Sequence, residues 1–198
     1  MIKETSTVKF DASLELHTRL GIDPKQGDQL VRGTVVLPHG TGKTKRVIVF
    51  TENKVDEARS AGADLVGGKD LINEIKTSGK TDFDIAIAEP GMMKDLAVIA
   101  RILGPRGLMP SPKNETVTDQ IGKAVVAMKG GKVSFKNDDT ANIHQVLGKI
   151  SWSEEMLTEN LQTFLDALKR AKPASSKGVY LAKVYLTSSM GPSVQIAV

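Results

Sequence analysis

The first pattern in the chain is an alternation of apolar and polar side chains over residues 13–20, which is typical of a strand with one buried face. A second, valine-rich strand is predicted over residues 30–37. Asp23-Pro24 and Gly27-Asp28 supply turn residues between the two. The simplest prediction from this order is an antiparallel hairpin.

Between Lys45 and Gly131 the pattern changes to short β-branched runs that alternate with helical stretches, which is typical of βαβ units around a parallel sheet. Asn53 and Thr118 are the predicted N-caps of the first and last of these helices. The predicted strands cover residues 46–51, 64–66 and 84–88, and the predicted helices cover residues 53–61, 69–77, 89–103 and 118–129.

Beyond Gly131 the chain returns to strands and one long amphipathic helix. The helix is predicted over residues 153–171, with Ser153 as its N-cap and apolar side chains at helical spacing on one face. The predicted strands cover residues 132–136, 141–150, 179–187 and 194–198.

Together these patterns predict an α/β protein of two domains, one of them discontinuous. An outer α+β domain is expected from residues 1–39 and 132–198, and a Rossmann-like parallel-sheet domain is expected to be inserted as residues 40–131. Glycine-rich segments at both junctions would permit hinge motion.

Composition is that of a folded, soluble protein, with 40% hydrophobic and 25% charged residues. Because there are 0 Cys, disulfides, thiolate metal sites and cysteine nucleophiles are excluded. Neither a membrane span nor a signal-peptide hydrophobic region is present in the sequence. We therefore expect a cytoplasmic protein, with an organelle matrix or stroma as the other possible location.

The net charge of +4 and the isoelectric point of about 9.2 permit a polyanionic partner without requiring one. The excess of bases is local: acids outnumber bases over residues 51–93, and bases outnumber acids over residues 94–136. Arg106 and Lys113 lie in a Gly- and Pro-rich segment that cannot form a regular helix. This segment is predicted to present its bases on an irregular loop.

Catalytic and metal-binding motifs are incomplete. Gly40–Thr44 resembles part of a phosphate-binding P-loop, but the first glycine of that motif is replaced by Leu37 and the loop precedes a strand. The three histidines, His17, His39 and His144, do not share a ligand spacing. We therefore expect no enzyme activity, cofactor or metal, and keep as the alternative a nucleotide-binding enzyme that uses Lys43.

A second unusual segment, Thr187–Pro192, has three hydroxyl side chains, Met190 and a Gly-Pro stop between two predicted strands. It could be an ordinary turn. Alternatively, its hydroxyls and open backbone groups could contact RNA sugars and phosphates while Met190 packs on a sugar or base.

Several ordered motifs, taken together, resemble the bacterial-type large-subunit ribosomal protein L-one family over nearly the whole chain. These motifs are Lys9-Phe10-Asp11, Leu20-Gly21-Ile22-Asp23-Pro24, Arg32-Gly33-Thr34-Val35, Leu37-Pro38-His39-Gly40, Ala61-Gly62-Ala63-Asp64, Gly104-Pro105-Arg106-Gly107-Leu108-Met109-Pro110-Ser111-Pro112-Lys113 and Met190-Gly191-Pro192-Ser193-Val194.

This resemblance implies a monomeric protein that binds the ribosomal RNA stalk of the large subunit, assists release of deacylated tRNA from the exit site, and represses translation of its own mRNA. It implies an RNA surface on the outer domain at Lys9, Phe10, Glu15, Thr187, Ser188, Ser189, Met190 and Gly191. A secondary RNA contact is implied on the inserted domain at Arg101, Arg106 and Lys113. The same three bases could instead serve a protein-interaction module that docks acidic partners.

Two departures from the family pattern change the expectations. Family members have a further N-terminal segment with a helix, whereas only residues 1–8 precede Lys9, so we expect part of the outer domain to be less covered. Ser189 stands where the family commonly has Thr, which keeps the hydroxyl but removes a methyl contact. We expect this change to weaken RNA affinity slightly.

Overall fold

The computed structural model describes residues 2–197 of the chain. These residues form two compact units. The first unit contains the chain up to Lys43 and again from Gly131, and the second unit is Thr44–Gly130. The second unit is therefore an insertion into the first, and Met1 and Val198 lie outside the described residues.

Strands and helices follow one another in an order close to the predicted one. The strands are β1 (Ser13–Leu20), β2 (Arg32–Val36), β3 (Val47–Phe50), β4 (Leu65–Gly67), β5 (Ile85–Ala88), β6 (Lys132–Lys136), β7 (Asn142–Lys149), β8 (Leu181–Ser188) and β9 (Ser193–Ile196). The helices are α1 (Val55–Ser60), α2 (Lys69–Ser78), α3 (Met93–Leu96), α4 (Ala100–Leu103), α5 (Ile121–Lys129) and α6 (Glu154–Arg170). The mixture confirms the predicted α/β class. Among residues 2–197, no helix has the length and apolarity needed to cross a membrane.

The first unit contains an antiparallel four-stranded sheet in the order β7-β1-β8-β9. Its strand β1 is central, with β7 on one side and β8 on the other. The predicted hairpin of the first two strands is therefore wrong. Strand β2 pairs with β6 in a separate ribbon, because both hydrogen-bonding edges of β1 are already occupied.

One face of the four-stranded sheet is covered by α6, whose apolar side chains join those of the strands in the core. Phe164 on α6 is fully buried and meets Phe135 on β6 edge to face, with ring centroids 5.3 Å apart. Ser153 caps the helix by accepting a hydrogen bond from Met156 N, as predicted. The opposite face of the sheet carries polar side chains in contact with solvent.

Asn160 is a buried polar residue on the inner face of α6, where the pattern predicts only apolar contacts. Its side chain accepts a hydrogen bond from His39 N (3.2 Å) and donates to the carbonyl oxygens of Gly40 (3.0 Å) and Leu147 (2.7 Å). These bonds fix the end of the first unit's N-terminal segment to α6 and β7, just before the chain enters the second unit.

The second unit is built on a parallel three-stranded sheet in the order β4-β3-β5, which confirms the parallel sheet expected from the alternating pattern. Strand β3 is completely buried. Ile48 and Phe50 join the apolar cluster on one face, and Val47 and Val49 join the cluster on the other. A continuous apolar run is typical of a parallel strand that is covered on both sides.

Three details of the second unit differ from the predictions. The single helix expected over residues 89–103 is replaced by α3 and α4, with 3-10 turns before and between them. Neither Asn53 nor Thr118 is an N-cap, because α1 begins at Val55 after Lys54 and α5 begins at Ile121 after Gln120. Local turns explain the shift: Lys54 N donates to Thr51 Oγ1, and Gln120 N donates to Thr118 Oγ1.

Candidate nucleic-acid interface

The segment Thr187–Pro192 is a tight turn that joins β8 to β9. Gly191 N donates to Ser188 O (2.8 Å), and the Thr187 hydroxyl donates to Gly191 O (3.1 Å). Met190, inside the turn, has a left-handed backbone with φ of +63° and a side chain that is 86% exposed. A large apolar side chain held in water on a strained backbone is a feature typical of binding sites.

Gly191 allows this turn to close. A Cβ added at this position would lie 2.0 Å from Ser188 Oγ, so a larger residue would displace the Ser188 side chain. Ser188 itself is only 1% exposed, and its hydroxyl has no hydrogen-bond partner within the described part of the chain. Ser188 therefore shapes the turn from inside, whereas Met190 forms its outer surface.

Strand β1 is attached to this turn at its first residues. Ser189 N donates to Ser13 O (3.0 Å), and Ser13 N donates to Ser189 Oγ (3.3 Å). The Ser189 hydroxyl also lies 3.3 Å from Glu15 Oε1. Glu15, a predicted site residue from the N-terminal part of the chain, therefore lies next to the turn that contains the predicted C-terminal site residues.

Lys9 and Phe10 lie just before β1, and both are exposed, with Phe10 54% accessible. The next residue, Asp11, is held by Ser151, whose backbone N and hydroxyl donate to the two carboxylate oxygens (3.2 and 3.0 Å). Phe10 precedes Ser13 by three residues, which corresponds to at most roughly 10 Å of extended chain. The turn and the Lys9-Phe10 pair therefore flank the same end of β1.

Two residues at the start of β1, the cation Lys149 and the buried Ser13, were not among the predicted site residues. Lys149 Nζ donates to Asp11 O (3.1 Å) and to Ser13 Oγ (3.3 Å), which places a cation beside the start of β1. Ser13 belongs to the polar set of alternating positions that continues with Glu15, so the strand pattern contained a signal for it. Lys149 has no such signal, because it reaches the site only through the pairing of β7 with β1.

Two histidines that appear unrelated in sequence are neighbours on the exposed face of the sheet. His17 on β1 lies directly opposite His144 on β7, with their Nδ1 atoms 2.7 Å apart. Partial burial and the nearby His144 lower the pKa of His17, while Glu15 acts in the opposite direction. Within residues 2–197, no group of three or more His, Asp or Glu side chains is arranged to hold a metal ion.

The predicted secondary contact residues belong to the second unit. Arg101, Arg106 and Lys113 are all exposed, and the Arg106 guanidinium donates to Thr81 Oγ1. Leu108 and Met109 pack against the apolar core and anchor the loop between Arg106 and Lys113. This loop therefore has a fixed apolar side and an exposed basic side.

The glycine-rich segment Gly40–Lys43 lacks the geometry of a P-loop. Gly40 and Gly42 have left-handed backbones, and the chain continues from Lys43 to strand β3 rather than to a helix. A P-loop binds phosphate at a helix N-terminus, which is absent from this segment. The geometry gives no support to the nucleotide-binding alternative.

These observations define a two-unit α/β protein whose candidate site is an exposed surface built on β1, β7 and the β8–β9 turn. A model of the ribosomal protein L1p/L10e family matches residues 2–192. The chain therefore belongs to this family, which confirms the resemblance seen in its motifs.

The chain is similar over 197 residues to several proteins named large ribosomal subunit protein uL1. It is 53% identical to that of Mycobacteroides abscessus, 55% identical to that of Salinispora tropica and 51% identical to that of Corynebacterium diphtheriae. Each alignment covers 99% of this chain and 82–83% of the relative. The family is one of ribosomal proteins rather than of enzymes.

Proposed function

We propose that this chain is a structural component of the large ribosomal subunit and that its first unit is an RNA-binding domain. Support comes from the family and from relatives named as large-subunit proteins. As a ribosomal component it would act in the cytoplasm, and as a monomer before it binds RNA.

The observation that carries the proposed site is Met190, an exposed thioether side chain on a left-handed backbone. Burial of such a side chain against a ribose or base removes apolar surface from water. Around it, the Thr187 and Ser189 hydroxyls and open backbone groups suit hydrogen bonds to RNA 2′-hydroxyls. The preformed turn lowers the entropy lost when RNA binds.

The proposed RNA surface combines this turn with the residues around the start of β1. Lys9 supplies attraction to phosphate, Phe10 a stacking surface, and Glu15 an acceptor for a 2′-hydroxyl. Ser188 acts from inside the turn by positioning its neighbours. The full proposed set is Lys9, Phe10, Glu15, Thr187, Ser188, Ser189, Met190 and Gly191, and the Lys149 ammonium group beside the start of β1 is proposed as an additional cation.

More specific roles follow from the resemblance and belong to the same proposal. The RNA would be the mobile stalk of the large subunit, and movement of that stalk would assist release of tRNA from the exit site. A similar RNA fold in the chain's own mRNA would allow translational repression. Arg101, Arg106 and Lys113 on the inserted unit would provide a secondary, mainly electrostatic contact.

A gel-shift titration with a transcript of the large-subunit stalk region tests the site. We expect Met190→Asp to weaken binding at least tenfold, because it places a carboxylate at the RNA contact, while Lys80→Ala, an exposed change in the second unit, has little effect. Wild-type protein should also prefer the stalk transcript to an unrelated hairpin of equal length. Equal binding by both variants, or no preference for the stalk transcript, would contradict the proposal.

A further inference from the structure

The exposed face of the four-stranded sheet carries a row of charged and titratable side chains beyond the proposed site. The strand register places Arg19 opposite Lys183, and His17 opposite both His144 and Tyr185. The same polar face begins at Glu15, opposite Thr187, within the proposed RNA surface. The row is therefore a direct continuation of that surface along β1 and β8.

Arg19 and Lys183 form an unfavourable pair in the isolated protein. Like charges directly opposite each other on antiparallel strands are destabilising. Both side chains are exposed, and neither has an ion pair or hydrogen bond within residues 2–197. An anion bound to this face would relieve the repulsion between the two cations.

The two histidines are hydrogen-bonded to each other, and each ring has a carboxylate within ion-pair distance of its Nε2 atom. His144 Nε2 lies 3.4 Å from Asp138 Oδ2, and His17 Nε2 lies 3.8 Å from Glu15 Oε2. The Nδ1 atoms of the two rings are 2.7 Å apart, so one must donate and the other must accept.

This arrangement suits a histidine pair with one extra proton. With one imidazolium and one neutral ring, both Nε2–H groups point toward a carboxylate and a single proton lies between the Nδ1 atoms. A second extra proton would place two N–H groups against each other at the Nδ1–Nδ1 contact. The Nδ1–Nδ1 contact therefore has room for one extra proton and not for two.

We propose that the sheet face from Glu15 and Thr187 to Arg19 and Lys183 binds the phosphate backbone of RNA, and that binding takes up one proton on the His17–His144 pair. This inference rests on the proposed RNA-binding function and extends it to a second part of the surface. It also makes RNA affinity depend on pH.

The charges around the histidine pair determine the direction of the effect. Strand β1 contributes Glu15 and Arg19, β8 contributes Lys183 and Tyr185, and the turn before β7 contributes Asp138. The opposing residues on β9 are the neutral Ser193 and Gln195. The extra proton therefore adds one positive charge to a face that already contains Arg19 and Lys183.

Phosphate binding then favours the protonated pair. In the absence of RNA, burial and the neighbouring His144 lower the pKa of His17, although Glu15 opposes them. A phosphate nearby would raise the pKa of His17, and by linkage a lower pH would strengthen binding. One linked proton limits the effect to about tenfold in affinity per pH unit.

Fluorescence anisotropy with a labelled transcript of the stalk region tests this inference on the full chain at pH 6, 7 and 8. We expect wild-type affinity to rise about three- to tenfold from pH 8 to pH 6. His17→Gln and His144→Gln should each remove most of this rise. Thermal unfolding of each variant checks that the fold is retained.

The salt dependence of RNA affinity provides a second, independent test, which uses the exposed side chains of Arg19 and Lys183. Arg19→Gln and Lys183→Gln should each lower the slope of log affinity against log salt by about 1, as expected for a lost phosphate contact. Lys177→Gln, which removes an exposed cation from a loop of the same unit, should leave the slope unchanged.

The outcomes separate the inference from the function on which it rests. If the histidine variants retain the pH dependence, or the Arg19 and Lys183 variants retain the salt slope, the inference is wrong. If Met190→Asp still weakens binding in that case, the proposed function stands. If wild-type protein does not prefer the stalk transcript and Met190→Asp has no effect, the proposed function itself fails.

Discussion

A Cβ added to Gly131 would lie 2.6 Å from the Cα of Gly40, so the backbone that leaves the first unit touches the backbone that returns to it. Gly131 also has φ of +104°, and its carbonyl oxygen accepts a hydrogen bond from Leu37 N. The two connections to the inserted unit are therefore packed side by side where they join the first unit.

This contact predicts a large effect of Gly131→Ala. The methyl group would meet backbone atoms that cannot rotate away, in addition to the cost of a positive φ, and we expect a loss of about 2–4 kcal/mol in the free energy of unfolding. Gly178→Ala is the matched control, because Gly178 has φ of +85° and open space around it. Gly178→Ala should lower the free energy of unfolding by about 1 kcal/mol. Equal losses in urea denaturation would contradict the contact.

Asn160 should be the most sensitive polar residue of α6. Asn160→Ala leaves His39 N and the carbonyl oxygens of Gly40 and Leu147 without their partner, and we expect a loss of about 2–4 kcal/mol. Gln162→Ala, on the exposed side of the same helix, should change stability by less than about 0.5 kcal/mol. Thermal and urea unfolding measure the stability of both variants. A small loss for Asn160→Ala would show that water replaces the hydrogen bonds of its side chain.

Met190 should show opposite effects on stability and binding. Met190→Gly removes the strain of a left-handed non-glycine residue and is expected to raise stability by up to about 1 kcal/mol, while RNA binding falls at least tenfold. Met190→Ala keeps the strained backbone but lacks the thioether, so it should lose RNA affinity without the gain in stability. Undiminished RNA affinity of the glycine variant would show that the side chain does not contact RNA.

Asp138 should make stability depend on pH in the acid range. Partial burial acts to raise the pKa of this carboxyl, but hydrogen bonds from Asn142 N, Thr140 and His144 outweigh it and lower the pKa to about 2. The pKa of Asp138 in the folded protein lies below the unfolded value of about 3.9. The stabilisation from its ionised carboxylate is therefore present above pH 4 and is lost as the pH falls to about 2.

Asp138→Asn tests this directly. Since the side chain is partly exposed, we expect the variant to be about 1 kcal/mol less stable than wild type at pH 7, with the difference vanishing near pH 2. Asp139→Asn, at the exposed neighbouring position, should have little effect at either pH. A difference that stays constant from pH 7 to pH 2 would rule out the ionised carboxylate as its source.

Local periodicity was sufficient to predict most elements of this fold. The alternation over residues 13–20 predicts β1, and the apolar spacing after Ser153 predicts α6 together with its cap. The buried run at β3 predicts a parallel strand. In each case the pattern is contained within one element and is set by which side of that element is buried.

Pairing between distant strands could not be predicted in the same way. The hairpin failed because residues far along the chain, in β7 and β8, occupy both edges of β1. The same pairing brings His17 into contact with His144. The separation of the two residues in the sequence gives no indication of this contact. Lys149 was missed for this reason too, whereas the proposed site residues on the β8–β9 turn lie within one local sequence motif.

The position of β1 between β7 and β8 has a consequence for synthesis of the protein on the ribosome. Strand β1 emerges first, but its partners follow only after the entire inserted unit has been translated. A nascent chain that stops before Leu181 lacks both β8 and the turn that complete the proposed RNA surface. Prematurely terminated chains would therefore be unable to compete with finished molecules for the binding site during subunit assembly.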